Sequence, residues 1–236
     1  MAPLLAGMGA LAVGKATRVL VRGLWHTHRF HRWVAHRETG DVAAAPAAGH
    51  AGPVRVVDTG EPLAVTIGLW RPYVVVSRGL VAVLSGTELR AVLAHEHAHA
   101  RRRDPLRLLL GRVLAAHLWF LPLATDMSGR ARRGYELAAD RHAVNRCGRT
   151  ALASALLRVV PPTAGTSVVA AGFSDPELLA ARVAQLESGH PPRPAAMSRL
   201  RAVLTATGGL TFVAAVAGAW AFMLLACPCL PTVSGG

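Results

Sequence analysis

The 236-residue sequence predicts a mainly α-helical fold with one small β-sheet, set between membrane-spanning helices. Three observations carry that expectation. From residue 84 onward, apolar residues recur at helical spacing, as at Leu84, Leu89, Val92 and Leu93. Three short β-branched runs stand close together between residues 54 and 77, separated by glycine and proline. Ala202 to Ala226 passes 25 residues without a charge, enough to cross a bilayer.

The chain opens on an apolar stretch, Ala2 to Val13, followed by Lys15, Arg18 and Arg22. No positive region precedes the apolar run, which argues against a signal peptide. Residues 1–22 are therefore expected to form a membrane helix whose basic end faces the cytoplasm. Residues 23–53 read as a juxtamembrane segment and loop. Within them, Trp25 to Arg37 is basic and aromatic, and its four histidines, His26, His28, His31 and His36, have only Glu38 as a nearby acid. An interfacial helix explains this stretch better than a metal site does. Gly40 to Pro53, rich in Ala, Gly and Pro, reads as a loop.

Val54 to Asp58, Ala64 to Ile67 and Tyr73 to Ser77 read as the strands of the sheet. Its exposed edge could pair with an extended peptide, or the strands could simply pack against the next helix. A short helix is expected over Arg78 to Leu84. The helix after it starts at Ser85, an N-cap whose capping-box partner is Glu88, and meets no proline before Pro105. It carries His95-Glu-His-Ala-His99, a match to H-E-x-x-H. His95 and His99 are four apart, so they stack on one helical face and can reach the same tetrahedral zinc. Glu96 sits beside the first ligand, where its carboxylate can touch a water at the metal rather than the metal itself.

Leu106 to Leu121, interrupted by Arg107, Arg112 and His117, reads as a long helix, buried or partly in the bilayer. Helices follow over Gly129 to Arg146 and Thr150 to Val160, then a loop over Ala164 to Phe173. Ser174-Asp-Pro-Glu caps a helix running to Ser188, with its proline near the start, where a missing N–H does no harm. His190 to Pro194 is a linker. Arg199 and Arg201 place the N-terminal end of the 202–226 span in the cytoplasm. The first segment agrees, so both termini are expected outside and the middle of the chain inside.

The net charge of +13 comes from arginine, since Lys15 is the only lysine. The arginines form no long run, aromatics are 5%, and no nucleic-acid motif occurs, so the basic balance points to an anionic lipid surface rather than to nucleic acid. Cys147, Cys227 and Cys229 make neither a disulfide framework nor a cysteine-type zinc site.

A catalytic zinc takes three protein ligands and leaves the fourth position to water. The acids after the motif are Asp104, Asp126, Glu136, Asp140, Asp175, Glu177 and Glu187. Asp104 is expected to lie too close to bend back from the same helix. Glu136 and Asp140 are four apart on one helical face. Glu136 could then bind zinc while Asp140 accepts the far N–H of a ligand histidine. A pair of surface acids among arginines is the blander alternative.

His95-Glu-x-x-His99 followed by Glu136-x-x-x-Asp140 resembles the glutamate-zincin integral-membrane peptidases. Two groups fit: the HtpX and prenyl-protein (CAAX) protease type, and the zinc domain of the beta-lactam sensor-transducers. The stretch from Gly68-Leu-Trp-Arg-Pro-Tyr through Ala94-His-Glu-His-Ala-His-Ala-Arg-Arg-Arg-Asp104 looks most like the second. The resemblance covers about residues 54–190, which are then a zincin-type metallopeptidase domain. It implies one zinc per chain, held by His95, His99 and Glu136, with Glu96 as the catalytic acid/base and Asp140 behind a ligand. The sensor-transducers usually have more membrane helices before the zinc domain and often a ligand-binding domain after it. Here about ten residues follow the last helix, so beta-lactam sensing is not expected to carry over.

These readings point to a membrane-anchored zinc endopeptidase facing the cytoplasm, acting on membrane-proximal or regulatory proteins. Its partners would be a protein or peptide substrate and membrane lipid, with no nucleic acid. The alternative is a zinc-holding membrane scaffold or signalling partner without proteolysis, which would have no use for a base at Glu96. An oxyanion donor is also needed. Tyr135, Arg141 and His142 are near the motif in sequence, which assigns none of them. His97 and His117 are expected to be packing or surface residues.

Overall fold

The computed structural model describes residues 2–39, 54–159 and 175–226. The expected loops over 40–53 and 164–173, the capping Ser174, and Cys227 and Cys229 lie outside them. The described part is mainly helical with one three-stranded sheet.

Helix α1 runs unbroken over Ala2–Arg37. The expected membrane segment and the interfacial stretch after it are thus one rod, because no proline stands between them and Gly23 alone is tolerated in a helix. Gly23 has its own reason to be there: a Cβ at this position would run into the Leu109 side chain of the later helix on which α1 lies. The far end of α1 docks on the sheet. Val34 is fully buried there with Phe30 and Trp33 beside it, and His31 Nδ1 lies 2.8 Å from the Tyr73 hydroxyl.

Strands β1 (Val54–Val57), β2 (Ala64–Ile67) and β3 (Tyr73–Ser77) are ordered β1-β3-β2, with β1 parallel and β2 antiparallel to the central β3. Gly68, at φ +97°, begins the β2–β3 turn in a conformation that other residues rarely adopt. Every residue of β3 is buried because the strand is covered on both faces. Tyr73 and Val75 pack toward α1, while Val74 and Val76 pack toward Leu80, Leu84, Leu89 and Leu93 of the next two helices. The outer edge of β1 is taken up by the end of α1, through Thr39 N–H to the Val56 carbonyl and Asp58 N–H to the Arg37 carbonyl. β2 forms the other edge.

Helix α2 (Arg78–Val83) starts at Ser77, whose buried hydroxyl accepts from both Leu80 N–H and Leu63 N–H. Helix α3 (Gly86–Arg102) starts at Ser85 with both halves of the expected capping box formed. It ends at Arg103, which sits at φ 53°, ψ 42°, and α4 (Asp104–His117) begins at once. α4 stops earlier than the apolar run suggests. Pro122 holds Leu121 in an extended conformation, so residues 118–121 turn instead of continuing.

Helix α5 (Pro122–Cys147) begins well before the expected Gly129, since Pro122 is suited to a first turn and packing outweighs the cost of Gly129 inside the helix. Its heaviest packing is against α3. Ala91, Ala94 and Ala98 of α3 and Ala139 and Ala143 of α5 are all buried, so no large side chain holds the two backbones apart. α6 (Arg149–Val159) and α7 (Pro176–Ser188) close the core around them through Leu152, Ala155 and Leu186. Asp175 caps α7 by accepting from Leu178 N–H.

The last helix, α8 (Arg199–Ala226), leaves the domain and exposes Leu204, Val213, Trp220 and Phe222. Among the described residues its Arg199–Met223 stretch is the one helix long and apolar enough to cross a membrane. α1 falls short of that mark.

Candidate metal centre

Three side chains converge where α3 crosses α5. His95 and His99 lie one turn apart on the buried face of α3, at 7% and 8% exposure, and their Nε2 atoms are 3.1 Å apart. Glu136, from α5, brings Oε2 to 3.5 Å from His95 Nε2 and Oε1 to 3.7 Å from His99 Nε2. One ligand atom from each falls within 4.8 Å of the others, so the trio could hold a metal ion. A tetrahedral zinc with bonds of roughly 2.0–2.1 Å spaces its ligand atoms about 3.4 Å apart. The observed spacings bracket that value, and two imidazoles with a carboxylate are a donor set suited to this ion.

Each histidine is backed on its far side. Asp140, fully buried one turn after Glu136, places Oδ1 2.9 Å from His95 Nδ1, in a bent approach rather than a well-aligned hydrogen bond. Asp104 Oδ2 lies 2.8 Å from His99 Nδ1. Both aspartates are in turn held by arginine. Arg182 of α7 forks onto Asp140 at 2.8 and 2.7 Å, and Arg102 reaches Asp104 Oδ2 at 3.2 and 3.0 Å. Arg102 also donates to the Tyr135 carbonyl, next to Glu136 in the chain, at 3.1 Å.

The electrostatics follow from this packing. Burial alone would lower the His95 pKa, but the Asp140 and Glu136 carboxylates outweigh it and raise it from 6.5 to about 9. Burial would raise Glu136, yet His95, His99 and Arg182 bring it down to about 2. Asp140 follows the same pattern: burial is overcome by His95 and Arg182, which hold it well below its ordinary value. Asp104 is lowered for a matching reason, with His99 and Arg102 overriding burial.

The trio faces a cleft of about 300 Å³. The cleft is lined by the β2 edge from Leu63 to Thr66 and by the apolar Leu152, Leu156 and Val159 of α6. Glu96 lines the same cleft, and the Thr66 hydroxyl lies 2.8 Å from its Oε2.

The structure therefore brings together all five residues singled out from the sequence: His95, Glu96, His99, Glu136 and Asp140. It corrects one reading. Asp104 does reach back to the centre, though not into the group that could hold the ion: Arg103 takes the left-handed conformation between α3 and α4, and Asp104 Oδ2 meets His99 Nδ1. It arrives behind His99. Tyr135, Arg141 and His142 do not line the cleft, whereas Arg182 does. Thr66, Arg102 and Arg182 were not singled out by the sequence. For Asp104 there was one signal, the Asp-Pro pair that marks the start of α4.

Residues 60–186 match the family described as Peptidase_M56, BlaR1 peptidase. The chain is also similar to the regulatory protein BlaR1 of Bacillus licheniformis, with 32% identity over 76 residues. That match takes in 32% of this chain and 12% of the length of that relative.

Proposed function

The chain belongs to the M56 family of BlaR1-type peptidases, and from that premise we propose that it is a membrane-anchored zinc endopeptidase acting on membrane-proximal or regulatory proteins. The observation that carries this reading is the meeting of His95, His99 and Glu136 at tetrahedral spacing, with Glu96 beside them in one cleft. These three side chains would hold one zinc per chain, with Asp140 behind His95.

When bound, zinc acidifies a water and polarises the scissile carbonyl. Glu96 takes a proton from the attacking water and passes it to the leaving amine. Asp104 fixes the His99 ring by accepting at Nδ1, and the Asp140 carboxylate faces His95 Nδ1, which leaves each Nε2 lone pair turned to the centre. The substrate backbone lies along β2, the edge that borders the cleft, as an added strand. The catalytic domain faces the cytoplasm, anchored by α8 and by the apolar first part of α1, with its arginine-rich surface toward anionic lipid.

The test compares wild type with Glu96→Gln for zinc content and for cleavage of casein or of the chain itself. The amide keeps the size of the carboxylate but cannot take the proton. Zinc is expected to stay while hydrolysis falls by at least about a hundredfold, the low end of what general acid–base catalysis contributes. Loss of zinc in Glu96→Gln, or cleavage near the wild-type rate, defeats the mechanism. Zinc bound by both forms with cleavage by neither, the chain's own included, favours the scaffold.

A further inference from the structure

Arg182 comes from α7, 42 residues beyond Asp140, yet its guanidinium reaches two carboxylates of the metal centre. Nε lies 2.8 Å from Asp140 Oδ2 and Nη2 lies 2.7 Å from Asp140 Oδ1, so one planar fork holds both oxygens. Nη1 lies 3.8 Å from Glu136 Oε2. Arg182 is 6% exposed and Asp140 is fully buried, which makes this a built contact inside the protein rather than a surface ion pair.

We infer that Arg182 is a positioning residue for the metal centre. A carboxylate held at both oxygens cannot turn about its own axis. Oδ1 of Asp140 therefore stays where it meets His95 Nδ1, and that contact fixes the plane of the ring. The third nitrogen faces Glu136 Oε2, the same oxygen that lies 3.5 Å from His95 Nε2. Arg182 thus reaches two of the three metal-holding side chains, one through Asp140 and one across 3.8 Å. A lysine at this place would supply the charge but not the fork, since an ammonium is a point donor without fixed geometry. The alternative role, plain neutralisation of buried acids, needs only the charge.

The inference rests on the metal-binding reading above, and the experiment separates the two. Full-length wild type, Arg182→Lys, Asp140→Asn and the double variant are purified in detergent and titrated with cobalt(II), reading affinity and the visible absorption bands. Arg182→Lys is expected to bind about tenfold or more weakly, with altered bands, in the range seen when groups behind metal ligands are removed. In the Asp140→Asn background the same change is expected to add little, because the fork has lost its carboxylate. Wild-type affinity and bands in Arg182→Lys would overturn the positioning role, as would full additivity with Asp140→Asn. If Arg182→Lys does not fold by circular dichroism, the comparison passes to Asp140→Asn/Arg182→Lys against Asp140→Asn, which removes the fork, keeps a charge beside Glu136 and leaves no carboxylate unpaired at 140. Weaker binding by more than about threefold there overturns the inference; equal binding supports it. Failure of wild type to bind cobalt defeats the metal reading itself.

Discussion

The Thr66 hydroxyl lies 2.8 Å from Glu96 Oε2 and 2.7 Å from the Glu96 backbone carbonyl. One residue of the edge strand thus touches both the side chain and the backbone of the proposed base. The hydroxyl has one proton to give, and when it goes to the carboxylate it limits the directions in which Glu96 can point. Thr66→Val keeps the shape of the side chain and removes this donor. A hydrogen bond to a charged group contributes about 1.5–3 kcal/mol, so peptide hydrolysis should fall about tenfold or more. Zinc content should not change, since Thr66 is not among the residues that could hold the ion. Thr66→Ser, which keeps the hydroxyl, should retain most of the rate; turnover of Thr66→Val equal to wild type would show that Glu96 needs no such tether.

Asp104 backs His99 at Nδ1 as Asp140 backs His95, but with a well-formed hydrogen bond where Asp140 makes a bent approach. The Asp104 carboxylate accepts at Nδ1 and is braced by Arg102. Asp104→Asn keeps the volume and removes the charge that fixes the ring. Zinc affinity, measured by competition with a chelator, should drop by about ten- to a hundredfold. An unchanged affinity would mean that His99 is held in place by packing alone.

The metal-free centre carries its own pH dependence. His95 keeps a proton up to about pH 9, above its ordinary 6.5. This stabilises the metal-free fold fully below 6.5 and is lost as pH rises through about 9. Glu136 works at the acid end: lowered from 4.5 to about 2, it stabilises above 4.5 and is lost as pH falls toward 2. A metal must displace the His95 proton to reach Nε2. Apparent zinc affinity should therefore climb about tenfold per pH unit between roughly pH 7 and 9 from this proton alone, and flatten above. Proton release of one per zinc near pH 7.5, read in a weakly buffered titration, checks the same point. Affinity flat across that range would show that His95 is neutral before the metal arrives.

Much of this centre was legible in the sequence because its parts are local. The H-E-x-x-H and E-x-x-x-D spacings each need only one helical turn, and Ser85 with Glu88 announces the helix that carries the first. The sheet strands were legible from β-branched runs, but their order was not: the parallel pairing of β1 with β3 depends on what packs above and below β3. Arg182 could not be singled out, since one arginine on α7 looks like any other until the fold sets it against Asp140. The return of Asp104 to His99 is not legible in the sequence, because a left-handed arginine at 103 leaves no mark of the kind a glycine would. The extent of α1 was missed for a related reason: a change from apolar to basic composition does not break a helix.

In the proposed membrane-anchored arrangement, orientation depends on where the arginines fall. α8 carries no charge from Ala202 to Ala226, and Arg199 and Arg201 stand at its N-terminal end. Arg201 pairs there with Asp126 of α5, which ties the foot of α8 to the helix that bears Glu136. Arg18 and Arg22 follow the apolar start of α1. Basic residues near the ends of a span favour the cytoplasm. A reporter inserted near Ala47 should therefore read as cytoplasmic, and one fused after Gly236 as extracytoplasmic. Replacing Arg199 and Arg201 by glutamine should weaken the orientation of α8 and raise the fraction of chains with the second reporter inside. The opposite labelling in the wild type would put the candidate metal cleft outside the cell and assign it substrates of a different compartment.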